Sequence, residues 1–352
     1  MVGRSLLFMV VALVTAGSQM ANAEGARRLA GPNRPFAASD CASPAGWAEI
    51  MVPEAIIPDP RRGPLEWPYS IASSFSRPGG LYVGGSTGAY ASSNCGSQWR
   101  PLALSESVDG YERHTRQAFI TVDVLGTLYS WFAISPLAIS DDDGATWRAS
   151  TRDVMNRVGD DARYMSVTAV SAAGGGVVYA YSRHLREWRN PPSVGTWRST
   201  DSGRSWALID EVPILPLREA RANYRVVAVH PQDANTLVAL SMSGAPLVSS
   251  DGAATFRPID PSRLPGLADD EAIFDVEFGS GGDRMWLRTS VQRVFETRDD
   301  GANWRQIPGP NSGEPIVFIA ANPFAPDSFF ALARSPGQQR IWIYREHAEI
   351  TP

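Results

Sequence analysis

Lysine is missing from the chain, and all 32 of its basic residues are arginine. That excludes Schiff-base catalysis and lysine-bearing phosphate loops, both of which need an ε-amino group. Cysteine is scarce: only Cys41 and Cys95 occur. Two cysteines exclude a cysteine-based zinc site and leave either one disulfide in an oxidising compartment or two free thiols. The four histidines, His114, His184, His230 and His347, show no metal-ligand spacing, so neither a metal nor a cofactor is expected. A basic surplus is lacking as well, since the formal net charge is −5, and this argues against a nucleic-acid partner.

Long apolar runs are absent beyond the N-terminus. There, Arg4, the apolar stretch Leu6 to Val14 and the small-residue site Ala21-Asn22-Ala23 read as a secretory signal peptide over residues 1–23. A membrane anchor is the alternative, but the run is short for a bilayer. The processed chain would have 329 residues, with 31 basic against 37 acidic, and no membrane span. It is expected to be exported, periplasmic or extracellular, and monomeric. Residues 24–45, rich in proline and arginine at their start, read as a flexible segment before one domain over 46–347.

What the chain does have is repetition. The stretch SDDDGATW, with Ser140, Asp142, Gly144 and Trp147 at its first, third, fifth and eighth positions, occurs in five versions. The others carry Ser92, Asn94, Gly96 and Trp99; Ser199, Asp201, Gly203 and Trp206; Ser249, Asp251 and Phe256; and Thr297, Asp299, Gly301 and Trp304. Successive copies are 48, 59, 50 and 48 residues apart, a pitch that marks a solenoid or propeller. Each copy reads as a turn between strands: hydroxyl and carboxylate bond nearby amides, glycine takes a positive φ, and the aromatic residue starts the next strand and anchors it in the core.

These motifs resemble the Asp-box, or BNR, repeats of β-propellers that include sialidases, sortilin-type receptors, xyloglucanases and a photosystem II assembly factor. The resemblance covers most of the chain and implies an all-β fold. It leaves function open, because those propellers include both enzymes and binding scaffolds.

Around the motifs the chain repeats a plan of three strands, the turn, and a fourth strand. Inner strands begin at Tyr69, Ala118, Met165, Tyr224, Ile273 and Ile316, which gives six sets of three but only five fourth strands. The sixth set ends with Tyr344 and Glu346 where a serine and an aspartate would stand, and the lone strand Trp47 to Val52 supplies the missing member. The fold expected is therefore a six-bladed β-propeller whose last blade is closed by an N-terminal strand. In that arrangement Cys41 and Cys95 fall in equivalent turns of adjacent blades and are expected to form a disulfide, with free thiols as the alternative.

Ligands of propellers meet the loops over the central channel, here the face opposite the turns. The residues just before the inner strands are Trp67, Arg116, Arg163, Ala222, Glu271 and Glu314. Two arginines on adjacent blades and two glutamates on others can orient a ligand carrying a carboxylate and hydroxyls; alternatively they pair across blades or are solvated. Tyr164 lies beside Arg163, and an insertion in blade three presents Trp188. Arg225, Asp275 and Glu277 are charges inside inner strands and are expected to pair or to open on the channel. The best-supported function is a non-catalytic module binding a protein or glycan, and the alternative is a glycoside hydrolase. A sialidase would carry an Arg-Ile-Pro segment ahead of its first repeat; here Arg34-Pro35-Phe36 lacks the isoleucine.

Overall fold

The computed structural model describes residues 15–16, 41, 45–50, 70–85, 88–104, 107–108, 111–112, 118–132, 135–150, 165–170, 175–182, 195–209, 224–241, 245–260, 263–268, 271–310, 313–335 and 338–346. Their strands form six antiparallel blades around a central channel, a six-bladed β-propeller. Blade one runs from the channel outward through Ser70–Ser73, Leu81–Gly85, Gly88–Ser92 and Arg100–Pro101. Blade two has Phe119–Val122, Leu128–Phe132, Ser135–Ser140 and Arg148–Ala149; blade three has Met165–Val170, Val178–Ser182, Gly195–Ser199 and Ala207–Leu208. Blade four comprises Tyr224–Val229, Leu237–Ser241, Pro246–Ser249 and Arg257–Pro258, and blade five Ile273–Phe278, Met285–Thr289, Val294–Thr297 and Arg305–Ile307.

Blade six is composite. Its first three strands, Ile316–Ala321, Ser328–Ser335 and Gln338–Arg345, are completed by Gly46–Ile50, in register from Gly46 opposite Arg345 to Ile50 opposite Ile341. The closing strand is also held by its side chains. The Trp47 indole donates to the Pro308 carbonyl of blade five at 2.9 Å, and its ring packs on Phe329 and Tyr344. Cys41, just ahead of this strand, is joined to Cys95 of blade one, with Cα atoms 5.3 Å apart.

Why these segments are strands follows from their burial. Both faces of a middle strand are covered by neighbouring blades, so Leu81–Gly85 and Met285–Thr289 are buried at every position rather than alternately. The apolar clusters accordingly lie between blades. Val227, Leu240, Ile273 and Leu287 join blades four and five, while Trp286, Ile319 and Phe329 join five and six.

The repeated turns have one shared geometry. In each, the first-position hydroxyl accepts the backbone amide of the fifth residue, at 2.8–3.1 Å. The third-position side chain accepts the amide of the seventh residue, at 2.8–2.9 Å. Two consecutive residues are left-handed, not one. Cys95, Asp143, Ser202, Gly252 and Asp300 hold the fourth position at φ 53–72°, ahead of Gly96, Gly144, Gly203, Ala253 and Gly301. The fifth position also touches the preceding blade: a Cβ on Gly96 would lie 2.2 Å from Ile50, and one on Gly144 would lie 2.7 Å from Leu102. Hydrogen bonds hold the turn aspartates below the ordinary carboxylate range, Asp251 at about 2 through the Thr255 hydroxyl and amide.

Two expectations are corrected here. Trp206 and Phe256 are buried, but Trp99, Trp147 and Trp304 are only half-buried, because the outermost strand forms the blade's rim and is covered from one side. That strand starts one residue after the aromatic, whose backbone still belongs to the turn. Beyond the repeated plan of four strands, a small hairpin pairs Ser107 with Glu112 and Val108 with Tyr111.

Blade three has a fifth strand: Thr15–Ala16, from the expected leader, pairs in parallel with Ala169 and Val170. It reaches the inner strands of all six blades, which places it in the channel. Met51 and Val52, the end of the expected closing strand, lie outside the described residues.

Two outcomes follow. Replacing the cysteines by serine should lower stability by about 4 kcal/mol in the chain-entropy account, and denatured, unreduced protein should show no titratable thiol; two reactive thiols per chain would refute the bridge. Trp206→Ala should cost about 3–5 kcal/mol, and Trp147→Ala less. A Trp206→Ala protein melting like its parent would refute the anchoring role.

Candidate functional site on the loop face

The strands of a blade alternate in direction, so the loops entering each inner strand and those joining the second strand to the third share the face opposite the turns. Of the residues expected there, Arg116, Arg163, Tyr164 and Trp188 lie outside the described residues. Arg225 is placed on the inner strand of blade four, opposite Leu240.

Among the described residues, both glutamates meet arginines of their own blades. Glu271, buried, accepts Arg293 Nε at 3.0 Å, and Arg293 Nη2 meets its other oxygen. Arg293 immediately precedes the third strand of blade five, and its Nη2 also donates to the Gly266 carbonyl at 2.8 Å. Burial works to raise the Glu271 pKa, but the bonds from Arg293, Thr289 and the Ala268 amide outweigh it and hold the group below the usual range. Glu314 meets Arg340 Nε at 3.2 Å, and Arg340 Nη1 reaches Glu49 of the closing strand at 3.3 Å. Each glutamate thus has a cation before any ligand arrives.

The charges inside the inner strands differ from one another. Arg288, on the second strand of blade five, donates to Asp275 through Nε at 2.9 Å and lies over the rings of Phe274 and Phe318. Glu277 has no exposed surface, and neither of its oxygens has a hydrogen-bond partner among the described residues. Burial pushes its pKa well above the carboxylate range and the Asp275 charge adds to this, with the nearby Ala321 amide opposing weakly.

Asp123 lies just past the inner strand of blade two. It accepts the amides of Leu125 and Thr127, both at 2.9 Å, the Tyr129 hydroxyl at 2.8 Å and the Ser202 hydroxyl of blade three at 2.9 Å. Burial raises its pKa in spite of these four bonds. It ties two blades together. A signal for this existed in the sequence, since aspartate two and four residues ahead of the amides of a tight turn is the usual capping arrangement.

Among the described residues no group of three or more His, Cys, Asp or Glu side chains is placed to hold a metal, and no helix is long and apolar enough to cross a membrane.

No protein-family model matches the sequence, and no curated protein does. Solved structures do resemble it. YCF48 from Cyanidioschyzon merolae superposes with a TM-score of 0.50 at 14% identity, over 86% of this chain and 99% of its own. A YCF48 bound to D1 peptide gives 0.49 at 14% identity, covering 80% and 79%. The GH74 xyloglucanase from Xanthomonas campestris gives 0.48 at 17% identity over 79% of this chain, which spans 44% of the enzyme's length. At such identities the likeness is one of fold, the β-propeller.

Glu277 generates a prediction whose sign can be worked out. Its folded pKa is raised above an unfolded value near 4.3, so the folded state keeps a proton that the unfolded state releases, and stability falls as pH rises above about 4. Glu277→Gln should therefore melt higher than the parent at pH 7–8 and equally at pH 4. A variant melting lower than the parent at pH 8 would show instead that the ionised carboxylate is stabilising.

Proposed function

We propose that this chain is an exported Asp-box β-propeller that binds a protein or glycan partner through its loop face and performs no chemistry on it. The observation that carries this reading is how the carboxyl groups are used. Hydrolysis of a glycoside needs a proton-donating carboxyl of raised pKa beside a second carboxylate at an open cleft. Among the described residues, the carboxyls of raised pKa are Asp123 and Glu277, both fully buried, whereas Glu271, at the loop face, is held ionised by Arg293.

The aspartates of the repeats are likewise engaged in their own turns. Among the described residues these acids thus serve the scaffold, and recognition is left to the loops. Arg116 and Arg163, at matching sequence positions before the inner strands of neighbouring blades, are the proposed anionic contacts, and Tyr164, Trp188 and Arg225 are further candidates.

The test compares the full chain with Arg116→Ala and Arg163→Ala variants, using an array of acidic and neutral glycans, a panel of extended peptides, and chromogenic glycosides. Binding that weakens about tenfold or more in each variant at unchanged melting temperature is the result expected, since a charge-assisted bond contributes roughly 1.5–3 kcal/mol. Turnover of a glycoside, abolished by mutating a loop-face carboxylate, would establish a hydrolase instead. Lowered stability with unchanged binding would make the two arginines braces between blades.

A further inference from the structure

The opposite face carries a second site, at the turn of blade one. Four of the repeated turns close in the same way: the seventh-position side chain donates to the outer oxygen of the third-position aspartate. The bonds are Thr146 to Asp142, Ser205 to Asp201 and Thr255 to Asp251, each at 2.6 Å, and Asn303 to Asp299 at 2.7 Å. Blade one departs from this. Its third position is Asn94, whose Oδ1 takes the Ser92 hydroxyl at 3.0 Å and the Gln98 amide at 2.9 Å. The Asn94 amino group and the Gln98 terminal amide make no hydrogen bond among the described residues. Folding the turn does not require either group, so both are left over.

Both line a cleft of about 230 Å³, together with Trp99, Arg77, Arg100 and Asp143. Arg77 Nη1 and Arg100 Nη2 converge on Asp143 Oδ2 of the neighbouring blade, at 2.6 and 2.5 Å, and Tyr82 donates to the other oxygen at 3.0 Å. Two guanidinium groups on one carboxylate leave a net positive charge. Among the described residues the Arg77 guanidinium meets only Asp143, and Arg100 Nη2 reaches the Asp143 carboxylate and, at 3.0 Å, its carbonyl; with half of each side chain exposed, at 47% and 50%, further N–H donors are left for a ligand. Asparagine at position 94 also withholds the negative charge that the other four turns carry at this position. Half-buried Trp99, packed over Gly96, supplies an aromatic wall.

Planar amides, guanidinium forks and an aromatic wall around a cavity the size of one pyranose suit a sugar, and the unbalanced charge suits an anionic one. We propose that this cleft binds an acidic sugar residue, a pyranose bearing a carboxylate or a sulfate. Arg77 and Arg100 take the anionic group, Asn94 and Gln98 the hydroxyls, and Trp99 the apolar face of the ring. The site is separate from the loop face and does not depend on the reading of that face.

Calorimetric titration of the full chain with a glucuronate-bearing disaccharide, a sulfated disaccharide without carboxylate, and a neutral one tests this. At least one acidic ligand should bind at least tenfold more tightly than the neutral one, and which of the two does so identifies the anion. Asn94→Asp restores the motif's usual residue, so it should keep or raise the melting temperature and yet weaken binding at least tenfold. Arg100→Ala and Gln98→Ala should also weaken it. Absence of binding by both acidic sugars overturns the proposal, as does binding that Asn94→Asp and Arg100→Ala leave unchanged. An oligoglutamate peptide binding equally well, indifferent to Gln98→Ala, would make the cleft an acidic-peptide site and overturn the sugar assignment.

Discussion

The ring depends on five residues. Gly46–Ile50 pairs with Ile341–Arg345 across nearly the whole length of the chain. Without this pairing blade six would have three strands and an unpaired outer edge, a template for pairing with other chains. Closing a loop of this size is entropically costly, though the cost rises only slowly with length. The structure offsets it with several attachments near one place: the Trp47 indole on Pro308, its ring on Phe329 and Tyr344, and the bond from Cys41 to Cys95.

The end of blade six, where a sixth turn would stand, is secured by charge instead. Glu346 accepts Arg284 Nη1 at 2.6 Å and also meets Arg298 and Arg305, while Arg284 and Arg305 both bind buried Glu296 of blade five. Because Glu296 and Arg284 are nearly inaccessible to solvent, this cluster is less screened than a surface pair. It holds the last residues of the propeller to the preceding blade. The serine-based turns do so elsewhere by their contacts with the blade before, Gly144 on Leu102 and Gly203 on Ile139.

Much of this is readable from residues. The spacing of SDDDGATW and its variants sets the blade count, and the missing turn after Ile341–Arg345 exposes the composite blade. What the motif hides is conformational: a left-handed fourth position is invisible when cysteine, aspartate or serine occupies it, as at Cys95, Asp143 and Ser202. Side-chain partners are also hidden where they depend on register. Glu271 sits 22 residues from Arg293, and only the antiparallel pairing in blade five brings them together. The cleft at Asn94 is hidden in the sequence for another reason. Asparagine for aspartate reads as conservative until the four closing bonds of the other turns show what blade one has given up.

The closing pairing accounts for the rest of the architecture, and amide hydrogen exchange measures it directly. In the intact, oxidised chain the amides of Gly46–Ile50 that face Ile341–Arg345 should exchange more slowly than those of the outermost strands of blades two to five, which lack a disulfide beside them. They should quicken together with Ile341 to Tyr344 when the Cys41–Cys95 bond is reduced. Rapid exchange of the inward-facing amides of residues 46–50 in the oxidised protein, with Ile341 to Tyr344 still protected, would contradict closure by the N-terminal strand.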